Sequence, residues 1–390
     1  MNQRFFVRTT RRLLAVLLAA ALTLCVMPLG RAAGPDIPAP SAILMDAATG
    51  TILFEKNAHE KLAPASVTKV MTLLLVMEAL DSGRITWDDT VTASEAAAAK
   101  GGSQVYLEVG EQMSMDEMLK SVVVSSANDC ATALAEHIAG SEAAFVDMMN
   151  ARAAELGLED THFVNCTGLD DDPSSKEHLT SAHDIAVMSR ELLTHDAIRK
   201  YTTIWMDTVR DGKFGLSNTN KLVRFYQGTT GLKTGYTSSA GHCLSASAER
   251  DGIELIAVVL HCASSTDRFQ SAKALLDYGF ANYALVSSEL PEELSPVRVK
   301  LGVETEIEPQ LQPSAPILIE KGEQAKVTKT VTLCEEVTAP VAAGQQLGTL
   351  TIATDQRTLA EIPIIAPAAV EKLSLWELTV RILRRVCMGN

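Results

Sequence analysis

Two groups of strand-forming residues lie far apart in this chain, and a long helical stretch separates them. The first group is Ser41-Ala42-Ile43-Leu44-Met45-Asp46 and Thr51-Ile52-Leu53-Phe54-Glu55, joined by the glycine-ended turn Ala47-Ala48-Thr49-Gly50. It reads as a hairpin. The second group covers residues 222–226, 231–236, 243–248 and 255–261, with Arg250-Asp251-Gly252 turning between the last two. Between the groups, residues 66–81, 115–124, 129–138, 142–156 and 181–193 follow a helical pattern, and a further helix is expected over 266–283. Strands at both ends with helices between predict one antiparallel sheet built from the two ends and packed by the helical region. That is a mixed α/β domain, not an alternating βαβ one.

Beyond about residue 290 the pattern changes. Pro291, Pro296, Pro309, Pro313 and Pro316 punctuate short β-type runs at 297–301, 317–319, 327–334, 347–352 and 360–365. They predict a small all-β domain. At the other end, Arg4, Arg8, Arg11 and Arg12 precede an apolar run over 13–27, and Pro28 to Ala33 ends in small residues. This is the pattern of a secretory signal peptide cleaved after Ala32 or Ala33; the run is shorter than the ~20 apolar residues of a membrane span. The expected division is a signal peptide over 1–33, an α/β domain over 34–288, the all-β domain over 289–368 and a terminal amphipathic helix over 369–390. In that last segment Leu375, Trp376, Val380, Ile382, Leu383, Val386 and Cys387 gather on one face. Glu377, Arg381, Arg384 and Arg385 gather on the other. A docked helix and an interfacial membrane anchor are both compatible with this composition, and the arginines, the tryptophan and the terminal position favour the anchor.

The net charge of −14 and the lack of a long basic cluster argue against nucleic acid as a partner. Beyond residue 33 the cysteines are Cys130, Cys166, Cys243, Cys262, Cys334 and Cys387, too sparse for a disulfide scaffold and expected mainly as buried filler. The histidines include no His-Glu-x-x-His, and His178 and His183 are spaced wrongly to share a helix face, so neither a metal nor another cofactor is expected.

Three short segments carry polar residues suited to catalysis. Ser66 precedes Lys69 by three positions at the head of an apolar run, so on a helix the two side chains share a face. A lysine made less basic by burial and neighbouring cations can remove the serine proton. Alone, the pair reads more readily as a helix-capping serine followed by a solvated lysine. Ser126-Ala127-Asn128 falls between two helical runs, where it is either a cap or a polar loop facing a cleft. Lys233-Thr234-Gly235-Tyr236 is a strand whose glycine allows close backbone approach, or an edge strand with a snorkelling lysine. Lys233 and Thr234 point to opposite faces of an ideal strand, and twist or a bulge is needed for both to reach one site.

Taken together, Ser-x-x-Lys, Ser-x-Asn and Lys-Thr-Gly occur in the order seen in penicillin-binding proteins and class A β-lactamases. The chain most closely resembles the low-molecular-weight penicillin-binding proteins that act as serine D-Ala-D-Ala carboxypeptidases. Segments 64–69, 126–129, 165–169, 218–220 and 231–236 carry the likeness, which runs from about Ala42 to the C-terminus. Tyr236 departs from members that have histidine there. The resemblance implies a β-lactamase/transpeptidase-like α/β domain with an antiparallel sheet, then a small all-β domain and an amphipathic membrane-anchoring helix. It implies that Ser66 attacks the carbonyl between two terminal D-alanines of a peptidoglycan stem peptide while neutral Lys69 takes its proton. Ser126 and Lys233 would pass a proton to the leaving amine. Asn128 would bind the substrate backbone, Lys233 and Thr234 its terminal carboxylate, Gly235 would let the substrate approach the strand closely, and the amides of Ser66 and Tyr236 would bind the oxyanion. β-Lactams would be inhibitors, no cofactor would be needed, and the protein would sit on the extracytoplasmic face of a bacterial cytoplasmic membrane.

Two rival readings remain. A β-lactamase of the same fold would need a deacylating glutamate, and Phe163-Val164-Asn165-Cys166-Thr167-Gly168-Leu169-Asp170 contains none. A non-catalytic wall or β-lactam sensor would keep the pocket without turnover. A Gly-x-Ser-x-Gly elbow is absent, which argues against an ordinary esterase.

Overall fold

The computed structural model describes residues 34–291 and 293–388. The signal peptide expected over 1–33 lies outside them. The strands β1 (Ser41–Asp46) and β2 (Ile52–Lys56) form the expected hairpin. The helices α1 (Lys69–Asp81), α2 (Met115–Val124), α3 (Asn128–Ala139), α4 (Glu142–Glu155) and α5 (Ala182–Leu193) follow. The chain then returns as β3 (Thr229–Thr237), β4 (Gly241–Arg250) and β5 (Ile253–Cys262). The sheet order is β2-β1-β5-β4-β3, with β1 antiparallel to β5 from Ser41 opposite Leu260 to Asp46 opposite Leu255. The two ends of the domain do share one sheet.

Every residue of β1 is buried. Ile43 and Met45, with Ile256, Val258 and Leu260, join the core of the helical region. Leu44 and Leu255 face α6 (Ser265–Asn282), where a Cβ on Gly279 would come within 2.4 Å of Leu255. A strand buried on both faces reads as a continuous apolar run. The helix α1 buries Val70, Met71 and the stretch Leu73 to Met77, and a helix that is apolar all round lies inside its domain. Lys69, its first residue, is therefore carried into a region with no water to solvate an ammonium.

Two local expectations are corrected. Residues 66–81 do not form one helix: Ala65–Thr68 is a three-ten turn, and α1 begins at Lys69. The turn is closed by i to i+3 bonds, with the Val67 amide donating to the Pro64 carbonyl at 3.2 Å and the Lys69 amide to the Ser66 carbonyl, and Ser66 caps nothing. Residues 222–226, read as a strand, contain a helical turn at Leu222–Phe225. Asn218 Oδ1 accepts from the Asn220 amide at 2.8 Å and Asn220 Oδ1 from the Leu222 amide at 3.1 Å. These side-chain bonds impose a turn that the β propensity of Leu-Val-Arg-Phe does not override.

After α6, the strand β6 (Tyr283–Val286) begins where helix was still expected, and it pairs antiparallel with β7 (Ile317–Glu320). That pairing ties the α/β part to the β-rich part, whose largest sheet contains β8 (Gln346–Ala353) and β9 (Thr358–Ile365). The last helix, α7 (Leu375–Met388), starts with a capping box: the Ser374 amide donates to Glu377 at 2.8 Å, and Ser374 Oγ accepts from the Glu377 amide at 3.3 Å. Arg381 donates to the carbonyls of Gly302 at 2.9 Å and Val303 at 2.7 Å, so this arginine holds the helix to the β domain. Leu375, Trp376, Ile382, Leu383 and Val386 stay exposed. No helix among the described residues is long and apolar enough to cross a membrane. Cys130, Cys166, Cys243 and Cys262 are buried, Cys334 is half-buried, Cys387 is exposed, and none forms a disulfide.

Candidate active site

The turn Ala65–Thr68 presents Ser66, half-buried, above Lys69, whose side chain is fully buried. Lys69 Nζ lies 3.0 Å from Ser66 Oγ, 2.6 Å from Asn128 Oδ1 and 2.8 Å from the Thr167 carbonyl. The last two partners accept only. A neutral amine has two hydrogens and one lone pair, so it satisfies both acceptors and turns its lone pair on the serine. Burial holds the Lys69 pKa down at about 7, against the opposing pull of Asp129 among its neighbours.

Asn128 opens α3, and its side chain is used at both ends: Nδ2 donates to the Gly101 carbonyl at 2.7 Å while Oδ1 takes Lys69. It therefore orients the lysine, with one N–H left over for a substrate. Ser126 is buried with φ +63, and its Oγ has no hydrogen-bond partner. A buried hydroxyl left unpaired is poised for a group that arrives later.

β3 is the edge strand of the sheet on this side. Gly235 is required by the approach of that strand to the serine turn, because a Cβ there would lie 2.6 Å from the Pro64 carbonyl and 3.1 Å from the Ser66 amide nitrogen. Lys233 is buried beneath it, with Nζ donating to the Thr234 carbonyl at 3.1 Å. Burial, with Lys69 and Arg268 as neighbouring cations, pushes the Lys233 pKa well below its ordinary value. Thr234 Oγ1 donates to Thr219 Oγ1 at 2.6 Å, and the Thr219 amide is tied to the Val124 carbonyl at 3.2 Å, just before Ser126. Lys233 thus points toward Lys69 while Thr234 reaches the Ser126 side, so the opposite faces of the strand serve one site. Tyr236 is exposed at the rim and stacks on His242, ring centroids 4.3 Å apart.

Several contributors were not legible as such in the sequence. The Thr167 carbonyl sits in a loop pressed over the serine turn, where a Cβ on Gly168 (φ +80) would lie 1.8 Å from the Ala65 carbonyl oxygen. Cys166, preceding it, is held by Glu142, whose Oε1 accepts from both its amide and its thiol at 3.2 Å. Asp129 fixes the neighbouring loop by accepting from the amides of Val105 at 3.1 Å and Leu107 at 3.0 Å. Arg268, buried on α6, donates to the Gly235 carbonyl at 3.0 Å and so supports the strand from beneath. Of these, only Cys166, Thr167 and Gly168 in segment 165–169 and Asp129 in segment 126–129 carried a signal, through resemblance.

Comparison with known proteins agrees with this geometry. Residues 30–264 match the family model described as D-alanyl-D-alanine carboxypeptidase, and residues 291–372 match the penicillin-binding protein 5 C-terminal domain. The chain is 43% identical to the D-alanyl-D-alanine carboxypeptidase DacF of Bacillus subtilis over 86% of each chain. It is similar to penicillin-binding protein 5 from Haemophilus influenzae, with 32% identity, a TM-score of 0.70, and coverage of 89% of this chain and 100% of the other. It is also similar to penicillin-binding protein D2 from Listeria monocytogenes in its ampicillin-bound form, with 31% identity, a TM-score of 0.57, and coverage of 63% and 100%. A serine and a buried lysine joined at one turn, inside a fold matched along nearly its whole length, place this chain in the D-alanyl-D-alanine carboxypeptidase family.

Proposed function

We propose that the protein is a serine D-Ala-D-Ala carboxypeptidase that removes the terminal D-alanine of peptidoglycan stem peptides through an acyl-enzyme, and that β-lactams acylate the same serine. The observation that carries this reading is the 3.0 Å approach of the buried Lys69 Nζ to Ser66 Oγ, with the amine's two other partners being acceptors that a neutral amine can satisfy. Lys69 takes the hydroxyl proton as Ser66 attacks the carbonyl. The resulting oxyanion is met by the amides of Ser66 and Tyr236, a reading supported by the close approach of Gly235, next to Tyr236, to the Ser66 amide. Collapse breaks the amide bond, with the leaving nitrogen receiving a proton through Ser126. Water then hydrolyses the ester. Thr234 and Lys233 hold the substrate carboxylate, whose negative charge offsets the neighbouring Arg268 and favours a proton on Lys233.

The β-lactamase alternative is weakened by the loop over the site. It offers Lys69 a carbonyl where a deacylating enzyme needs a carboxylate, and the nearby carboxylate of Asp170 is engaged by Ser239. Repeated release of D-alanine from a peptide ending in D-Ala-D-Ala, with trapping by penicillin, is the deciding measurement. Destruction of penicillin at a comparable rate, or a single turnover only, would replace this reading by a β-lactamase or a sensor.

The same assay tests Lys233. Lys233→Ala is expected to reduce kcat/KM for a free-acid peptide by roughly tenfold to a hundredfold more than for its amide, which lacks the charge to be held. Equal losses on both substrates would move Lys233 from carboxylate binding to proton transfer or structure.

The protein is further proposed to be exported and to rest on the outer face of the cytoplasmic membrane through α7. Its exposed Leu375, Trp376, Ile382, Leu383 and Val386 support this, because an apolar stripe with Trp and flanking arginine suits the lipid interface. Deleting residues 373–390 should move the protein from membrane to soluble fractions with activity on small peptides retained. A truncated protein that stays with membranes, or that no longer folds, would make the helix structural.

A further inference from the structure

A buried histidine that takes no part in the proposed chemistry lies behind the serine turn. His178 is 3% exposed, and the Val164 amide donates to its Nδ1 at 3.1 Å. That bond places the ring hydrogen on Nε2, which lies 2.7 Å from Thr68 Oγ1. With its lone pair taken by His178, the Thr68 hydroxyl donates to the Ala65 carbonyl at 2.8 Å. The chain of bonds therefore has one direction only, from Val164 through His178 and Thr68 to Ala65.

Its end point matters because the Ala65 carbonyl and the Ser66 amide belong to one rigid peptide plane. Holding the carbonyl on one side fixes the direction of the Ser66 N–H on the other, and a hydrogen bond accepted by the carbonyl makes that N–H a stronger donor. The plane needs holding: Ala65 has φ +48, which an alanine side chain disfavours, and Gly168 packs against the same oxygen. We propose that His178 is a positioning residue which, through Thr68, aims and polarises the Ser66 amide as an oxyanion donor. This rests on the serine acylation reading above. Burial, with His162 and Lys69 as neighbouring basic groups, holds His178 at a pKa of about 4, which agrees with the neutral ring that the chain of bonds requires.

An amide acting only on the oxyanion affects the acylation step and not the initial complex. Stopped-flow acylation by a fluorescent penicillin separates the two, using His178→Leu, Thr68→Val and the double variant. Each single variant is expected to lower the limiting acylation rate roughly tenfold to a hundredfold while the dissociation constant of the initial complex stays within about twofold. The double variant should be no slower than the worse single one, because both break the same chain. His178→Gln, which keeps an N–H near the Nε2 position, should recover most of the rate. Losses that multiply in the double variant, or that fall on the dissociation constant alone, overturn the proposal. If His178→Leu does not fold, the pair Thr68→Val and Thr68→Ser decides: only the loss of the hydroxyl should slow acylation, and equal rates overturn it. A wild-type protein that penicillin does not acylate at Ser66 would instead remove the underlying reading.

Discussion

Ser66→Ala is expected to abolish covalent labelling by a fluorescent penicillin and to lower D-alanine release by at least about a thousandfold, as loss of a catalytic nucleophile does. No other hydroxyl near the site can take over. Ser126 is buried and unpaired, so no base has hold of its proton, whereas Ser66 lies 3.0 Å from a lysine. The fold should survive. Ser66 is half-buried, and Lys69 retains Asn128 and Thr167 as partners, so the change costs about 1 kcal/mol or less. Intact-mass spectrometry after exposure to penicillin, beside a melting curve, checks both halves. A folded variant that still gains the mass of one penicillin at a site serine would remove Ser66 as nucleophile.

The second large effect is the dependence of acylation on the Lys69 proton. A base with a pKa of about 7 is neutral in only a minor fraction of molecules at pH 6 and in most at pH 8, so the limiting acylation rate should rise roughly tenfold between them. The linked effect on stability has a definite sign. Unfolded, the lysine holds its proton up to about its ordinary value of 10.5, whereas folded it releases it near 7. In that window the unfolded chain binds more protons, so the Lys69 contribution to stability rises with pH from about 7 to 10.5 and is lowest below 7, where burial of an ammonium is fully opposed. Urea denaturation of the wild type against Lys69→Met, at pH 7 and pH 9, should show the wild type gaining on the variant as pH rises. The variant itself should not acylate. A flat acylation profile between pH 6 and 8, or a constant stability difference, would mean that folding leaves the proton on Lys69.

Much of the architecture was readable from local pattern. The apolar runs of β1 and β5 announce strands covered on both faces, and the polar turn residues around Gly50 and Gly252 announce the reversals between strands. The readings failed where a side chain overrode the propensity of its neighbours. Asn218 and Asn220 wind Leu222–Phe225 into a helical turn, and i to i+3 bonding makes Ala65–Thr68 a three-ten turn ahead of α1. At Tyr283, pairing with Glu320 ends a helix that local sequence would continue. In each case the deciding bond is geometric and leaves no periodicity to read.

The order of Ser66, Lys69, Ser126, Asn128, Lys233 and Thr234 along the chain named a chemistry through its resemblance to a known family, whereas each segment taken alone kept a structural reading. The sequence by itself also placed Ser66 three residues ahead of Lys69, but it left that lysine open between a solvated side chain and a buried base. Only the tertiary structure decided that the lysine is buried and what it touches. Its other partners are the Asn128 carboxamide and the Thr167 carbonyl, 59 and 98 residues away, and one of them is a backbone atom that every residue type possesses. Backbone donors and acceptors, the plane of the Ala65–Ser66 peptide, and the buried supports Arg268 and His178 carry no signature in a sequence. They acquire a role only when folding brings them within about 3 Å of a group that needs them, because a hydrogen bond acts over that distance and no further.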